Sequence, residues 1–212
     1  TLSLHDALPI SYGCTATNSI LVGNVPNLNA SISNQVNNLC HGDSNGSATV
    51  VVSDGTLPYH YQWSNNDTTV SIGSLAAGLY TVTVTDANGC SGTAQVQITD
   101  PTALTGSVTA QVDVNCFGDA TGSITIGANG GIPAYQYALG SGSYQSSNQF
   151  GGLISGNYTV TVMDANNCTT TLSATLTQPS LLTVTNTAST NILCNGASTG
   201  SINITASGGV AP

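Results

Sequence analysis

Residues 80–90 read YTVTVTDANGC, and residues 158–168 read YTVTVMDANNC, 78 positions later. In the first copy Tyr80, Val82 and Val84 alternate with Thr81, Thr83 and Thr85. Successive side chains of a strand point to opposite faces, so this spacing sends the apolar residues to a core and the threonines to solvent. Asp86-Ala87-Asn88-Gly89 then has the composition of a turn, because Asn and Gly tolerate positive φ. The second copy carries Asn167 in place of Gly89, the next-best residue for that backbone conformation.

The duplication belongs to a longer register. Cys14, Cys90 and Cys168 are separated by 76 and 78 residues, and so are Cys40, Cys116 and Cys194. The two sets interleave with a constant offset of 26. Six residues after each cysteine of the second set comes Gly-Ser, as Gly46-Ser47, Gly122-Ser123 and Gly200-Ser201. An alternating run follows, marked by Ala48/Val50, Ile124/Ile126 and Ile202/Ile204. Next come Pro58 and Pro133, then Tyr59-His60-Tyr61-Gln62-Trp63 and Tyr135-Gln136-Tyr137-Ala138-Leu139, both with period two. Leu-x-x-Gly-x-Tyr closes on Tyr80 and Tyr158, similar to the tyrosine corner of immunoglobulin-like sandwiches, whose hydroxyl bonds to upstream backbone. A last alternating strand follows each turn, and Asp100-Pro101 and Gln178-Pro179 mark the joints.

No stretch has helical period. Short strands with turn signals every 8–12 residues predict an all-β chain of tandem immunoglobulin-like β-sandwich repeats. The register predicts one repeat over 27–101 and another over 102–179. Residues 11–26 read as the end of an upstream repeat and residues 180–212 as the start of a downstream one. The opening TLSLHDALPI, residues 1–10, lacks the Thr/Val alternation expected there and reads as a non-native segment; the alternative is a divergent strand containing a Pro. Without an initiator methionine or a signal-like segment, the sequence is expected to be an internal piece of a longer protein.

Six cysteines in register predict disulfides and an oxidising, extracellular setting. Four strands, 47–53, 59–64, about 68–75 and 80–86, are counted between Cys40 and Cys90. An even number of traverses returns the chain to its starting end, so the expected pairs are Cys40–Cys90 and Cys116–Cys168. Cys90–Cys116, across a joint, stays open as the rival, as do unpaired thiols.

Composition excludes several classes of function. The 212 residues contain no Lys or Arg, and all nine acidic residues are Asp, giving a formal charge of −9. Phosphate backbones and anionic membranes are bound through cationic side chains, which are absent. No apolar run reaches the length of a membrane span. His41 and His60 have no His counterpart in the next repeat, and no metal-ligand or nucleophile motif occurs, so no enzyme activity, metal or cofactor is expected. Asp43 and Asp119, with Asp86 and Asp164, could bring oxygens to a Ca²⁺ only if their loops share one end of a sandwich; turn-forming Asp is the simpler reading. Tyr59, Tyr61 and Trp63 could offer a sugar platform, but their spacing assigns them to one core-facing strand face.

The combined pattern, C-x-G-x-x-x-G-S, then Gly and Pro before Y-x-Y, then L-x-x-G-x-Y-T-V-T-V-x-D-A-N-x-C, resembles the SprB-type repeat of gliding-motility adhesins, from Gly13 to Pro212. Leu139 departs from it, at a position where the family usually has Trp. The resemblance implies a large, secreted bacterial cell-surface adhesin in which such repeats form a stalk or display array. Its partners would be an extracellular surface or polysaccharide, other cell-surface proteins and neighbouring repeats. The alternative is an array of carbohydrate-binding modules in a secreted multidomain protein. The family brings no catalytic residues.

Overall fold

The computed structural model describes residues 6–10, 14–18 and 27–210, and every regular element among them is a β-strand. The chain divides into two compact units, Thr1–Asn38 with Gly42–Asp100, and Leu39–His41 with Pro101–Pro212.

In the first unit, β1 (Asp6–Ile10) pairs antiparallel with β2 (Cys14–Asn18), with Pro9 opposite Thr15. Half of the opening stretch read above as non-native is therefore a strand; residues 1–5 lie outside the described residues. The sandwich itself comprises β3 (Asn29–Val36), β4 (Gly46–Ser53), β5 (His60–Trp63), β6 (Ser71–Leu75), β7 (Gly78–Thr85) and β8 (Ser91–Ile98). Its two sheets have the orders β3-β4-β6 and β5-β7-β8, all antiparallel. Both sheets supply one core: Ala48 and Val50 from one side meet Trp63, Val82, Val84 and Ile98 from the other. In β7, Val82 and Val84 are fully buried and Thr83 is exposed, the alternation the sequence predicts.

The second unit repeats this plan. Its sheets are β9 (Thr105–Val112), β10 (Gly122–Asn129) and β12 (Gln149–Leu153) against β11 (Gln136–Leu139), β13 (Gly156–Met163) and β14 (Thr169–Leu176). Ile124, Ile126, Val160 and Val162 are fully buried in its core. A further pair, β15 (Thr183–Thr190) with β16 (Ser201–Ser207), repeats the β9–β10 pairing, including its bulge. Ile202 and Ile204, aligned with Ile124 and Ile126, are 72% and 66% exposed there.

Strand direction decides where the cysteines lie. A Cβ on Gly46, at the start of β4, would strike Ile98 at the end of β8, which pairs with Gly78 at the start of β7. At the other end, the Thr56 amide just past β4 bonds the Asp86 carboxylate just past β7. So β4 and β7 run in the same direction. Between them, β5 covers only the Val82–Thr85 half of β7, while β6 covers only the Gly46–Thr49 half of β4. β5 and β6 therefore run the same way and together make one traverse, the chain changing sheets halfway down.

The strands β3, β9 and β15, which precede each loop cysteine, are absent from the sequence reading. They are edge strands in which no residue is fully buried. Leu28, Ala30 and Ile32 alternate and pack on the first core, but a bulge after Ile32 and its counterparts cuts the apolar period of two short.

Candidate functional site

The Asp-Ala-Asn-x-Cys turns are the most strongly organised polar features of the chain. After β7, Asp86 is buried, and its Oδ1 accepts the amides of Asn88 at 2.9 Å and Cys90 at 2.8 Å. Its Oδ2 accepts the Thr56 amide at 3.0 Å from the β4–β5 connection. Carboxylates that accept several backbone amides are favoured in their charged form. The Thr56 amide above all, then those of Cys90, Asn88 and Gly89, hold Asp86 below the usual carboxylate range, while burial pushes the other way and ranks second. Gly89 takes φ 83°.

The second turn is a copy. Asp164 is buried, with Oδ1 accepting Asn166 and Cys168 amides at 2.9 Å each and Oδ2 accepting that of Ile132 at 2.9 Å. Asn167 adopts φ 65°, the left-handed conformation expected of it. The tyrosine corners form as expected: the Tyr80 hydroxyl donates to the Ala76 carbonyl at 3.1 Å and that of Tyr158 to Ile154 at 2.8 Å.

The C-x-G loops are likewise pinned. Gly42, with φ 82°, donates its amide to Asp100 Oδ2 at 2.8 Å. Gly118, with φ 80°, donates to Gln178 Oε1 at 2.8 Å. The joint residues that mark the repeats in sequence thus fix the loops. Asn38, buried before the first loop, donates to Asp100 Oδ1 at 2.7 Å; Val114, which replaces it in the second repeat, is buried and donates its amide to the Thr177 carbonyl at 2.9 Å.

One disulfide joins these two kinds of feature, and it is not an expected one. Cys40 is bonded to Cys168, with Cα atoms 5.6 Å apart and 128 residues between them in sequence. The Asn166 side-chain amide donates to the Leu39 carbonyl beside it at 2.8 Å. Leu39–His41 accordingly groups with the second unit. Cys90 and Cys116 are exposed free thiols, as is Cys194. Neither Cys40–Cys90 nor Cys116–Cys168 is present, and nor is Cys90–Cys116. The physical reason is the split traverse: β4, then β5 with β6, then β7 make three crossings, an odd number. Cys40 lies where β4 starts and Cys90 where β7 ends, so β7 alone separates them by about 25 Å at the usual rise per residue. Disulfides need Cα atoms within about 7 Å.

The same geometry removes the basis for the calcium reading, because Asp43 and Asp86 are on loops at opposite ends of one sandwich. No group of three His, Cys or Asp side chains that could hold a metal occurs among the described residues. Trp63 is buried, its indole N–H donating to the Thr69 carbonyl at 2.9 Å, so it offers no sugar platform. Tyr59 and Tyr61 are half-buried against the same core. With His60, Gln62, Thr68, Thr83 and Thr85 they line an open hollow of about 410 Å³.

No curated protein matches the chain. Among solved structures it is similar to the three N-terminal domains of the highly immunogenic outer capsid protein of bacteriophage RB49, at 15% identity and TM-score 0.44, covering 87% of this chain and 70% of that one. A C-terminal intimin fragment, solved in complex with the intimin-binding domain of the translocated intimin receptor, is similar at 17% identity and TM-score 0.38 over 72% and 66% of the two chains. A tetra-tandem repeat from the extending region of a large adhesion protein is similar at 16% identity and TM-score 0.25 over 85% and 55%. The family described as SprB repeat matches residues 32–68, 108–144 and 186–212. Each match runs from the edge strand through the loop cysteine, and the first two reach past β5 and β11. The SprB repeat model thus matches the chain three times, once in each successive copy of the register.

Proposed function

We propose that this chain is part of the repeat region of a large, secreted bacterial cell-surface adhesin, where it serves as a stalk or display array. The observation that carries this reading is the kind of residue that recurs with the repeat. Tyr80 and Tyr158 hold corners, Asp86 and Asp164 hold turns, and Cys40 and Cys168 form a cross-link. Recurrence of architecture without a recurring reactive group suits a structural role. The disulfide supports an extracellular location, since such bonds persist in oxidising compartments. No helix among the described residues is long and apolar enough to cross a membrane. The partners proposed are an extracellular surface or polysaccharide, other surface proteins and neighbouring repeats. Antibody raised against the 212-residue chain should label intact cells, and brief protease treatment of those cells should remove the label. Label found only after lysis would overturn the reading.

The hollow beside Tyr59 and Tyr61 favours one alternative, a carbohydrate-binding module. Saturable glycan binding by the chain, abolished by His60→Ala or Gln62→Ala without change in circular dichroism, would put that reading first. Absence of binding across a broad glycan panel leaves the stalk.

A further inference from the structure

We propose that Cys90 and Cys116 are the two halves of the bond that Cys40 and Cys168 already make. In this scheme the loop cysteine of each repeat bonds the turn cysteine of the repeat after it, so that successive repeats are covalently linked one to the next. The partner of Cys116 is thus the turn cysteine of a further copy of the repeat, and the partner of Cys90 is the loop cysteine of a preceding one. The proposal rests on the repeat register and the observed bond, and is independent of what the parent protein adheres to.

Three observations carry it. Cys116 occupies the repeat position of Cys40, and Cys90 that of Cys168. The free thiols stand on the same backbone frames as the bonded sulfurs. Cys90 and Cys168 each donate their amide to a buried Asp four residues earlier, at 2.8 and 2.9 Å. Cys40 and Cys116 each precede a glycine at φ 82° or 80° whose amide is held by the joint residue of its repeat, Asp100 or Gln178. Finally, the turn carries a second group that engages the loop. Asn166 donates to the Leu39 carbonyl next to the bonded Cys40, whereas Asn88, its counterpart beside the free Cys90, donates to Thr56 Oγ1 at 2.9 Å. The position of Thr56 is held in the second repeat by Ile132, which has no hydroxyl, so the Asn166 amide has no such acceptor within its own repeat. Strand parity supplies the remaining constraint, since the loop and turn cysteines of one repeat lie at opposite ends of its sandwich and cannot close on each other.

Formation of each bond needs a two-electron oxidant, here a small-molecule disulfide such as oxidised glutathione. The thiolate of one cysteine attacks it, forming a mixed disulfide and releasing one reduced thiol. The thiolate of the second cysteine then displaces the other half. The two protein thiols lose two protons and two electrons, and the oxidant leaves as two thiols.

The test uses the full chain with a second copy of residues 102–179 inserted after Pro179, refolded in a glutathione redox buffer and mapped by non-reducing peptide analysis. The expected result is a new bond from Cys116 to the copy's Cys168, beside an intact Cys40–Cys168. Cys116→Ser in that chain should leave the copy's Cys168 open to alkylation while Cys40–Cys168 persists. Alkylation of both Cys116 and the copy's Cys168 would overturn the proposal. A bond between Cys116 and Cys168 of its own repeat, or failure of Cys40–Cys168 to form, would do the same.

Discussion

Cys40 is bonded to Cys168, 128 residues downstream, although Cys90 is the nearest cysteine after it in sequence. One cysteine comes from the first repeat's C-x-G loop and the other from the second repeat's Asp-Ala-Asn-x-Cys turn. The bond therefore ties together segments that no single core holds. Cross-linking distant segments stabilises chiefly by restricting the unfolded chain, and more so for longer loops. Each sandwich, with fewer than 80 residues, buries a comparatively small share of its surface on folding. A covalent tie suits an array of such small units.

Asp86 links acidity to the stability of the first unit. Its folded pKa lies below the ordinary value, because the Thr56 amide leads a set of backbone donors to the charged form. A lowered folded pKa means that the stabilisation is complete above the ordinary aspartate range, near pH 4, and is lost as the pH falls through that range to the lowered value. Asp67, lowered first by the Thr69 hydroxyl, acts in the same direction in this unit, as does Asp113 in the second, lowered first by the Thr177 amide. Thermal unfolding followed from pH 7 to pH 2 should show a melting temperature that falls steeply below pH 4. Asp86→Asn should lower the melting temperature at pH 7 and flatten the acid limb of the first unit without abolishing it. An unchanged acid limb would contradict this assignment.

Trp63 marks the difference between the two cores. Buried against Val82 and Val84, with its N–H satisfied by Thr69, it fills the position that Leu139 occupies in the second repeat. Trp63→Ala should cost the first unit about 3–5 kcal/mol, the range for emptying a large aromatic site. Urea unfolding followed by circular dichroism should move the first unit's transition and leave that of the second in place. A shift below about 1 kcal/mol would mean that the site is not a close-packed core.

The tyrosine corners should be worth one hydrogen bond each. Tyr80→Phe and Tyr158→Phe remove the hydroxyls that donate to Ala76 and Ile154 while keeping the rings. Each should cost about 1 kcal/mol, and the double variant about the sum, because the corners belong to separate cores. Differential scanning calorimetry would read both transitions. Strong non-additivity would show that the units do not unfold independently.

Much of the sandwich was legible because its signals are local. The Val82/Val84 alternation, the left-handed Asn167 and the Leu-x-x-Gly-x-Tyr corner each follow from a few adjacent residues. The edge strand Asn29–Val36 was not, since its short apolar alternation, Ala30 and Ile32, is interrupted by a bulge before Asn34 and most of its other residues are polar and exposed. The disulfide was misplaced for a different reason. Tyr59–Trp63 and Ser71–Leu75 each look like a strand in sequence, but only pairing partners reveal that they are halves of one crossing in different sheets. Counting strands cannot distinguish two traverses from one divided traverse, and the parity of the count decided the pairing. The Asp86 carboxylate shows the same limit: its turn role is local, whereas its bond to Thr56 depends on which strands run alongside each other.

The central claim, that the loop cysteine of one repeat is bonded to the turn cysteine of the next, is tested most directly by native-state thiol mapping of the 212-residue chain. Alkylation without reductant should modify Cys90, Cys116 and Cys194, and non-reducing digestion should yield a peptide pair joined through Cys40 and Cys168. A Cys40–Cys90 peptide, or an alkylated Cys40 in the folded oxidised chain, would contradict the account.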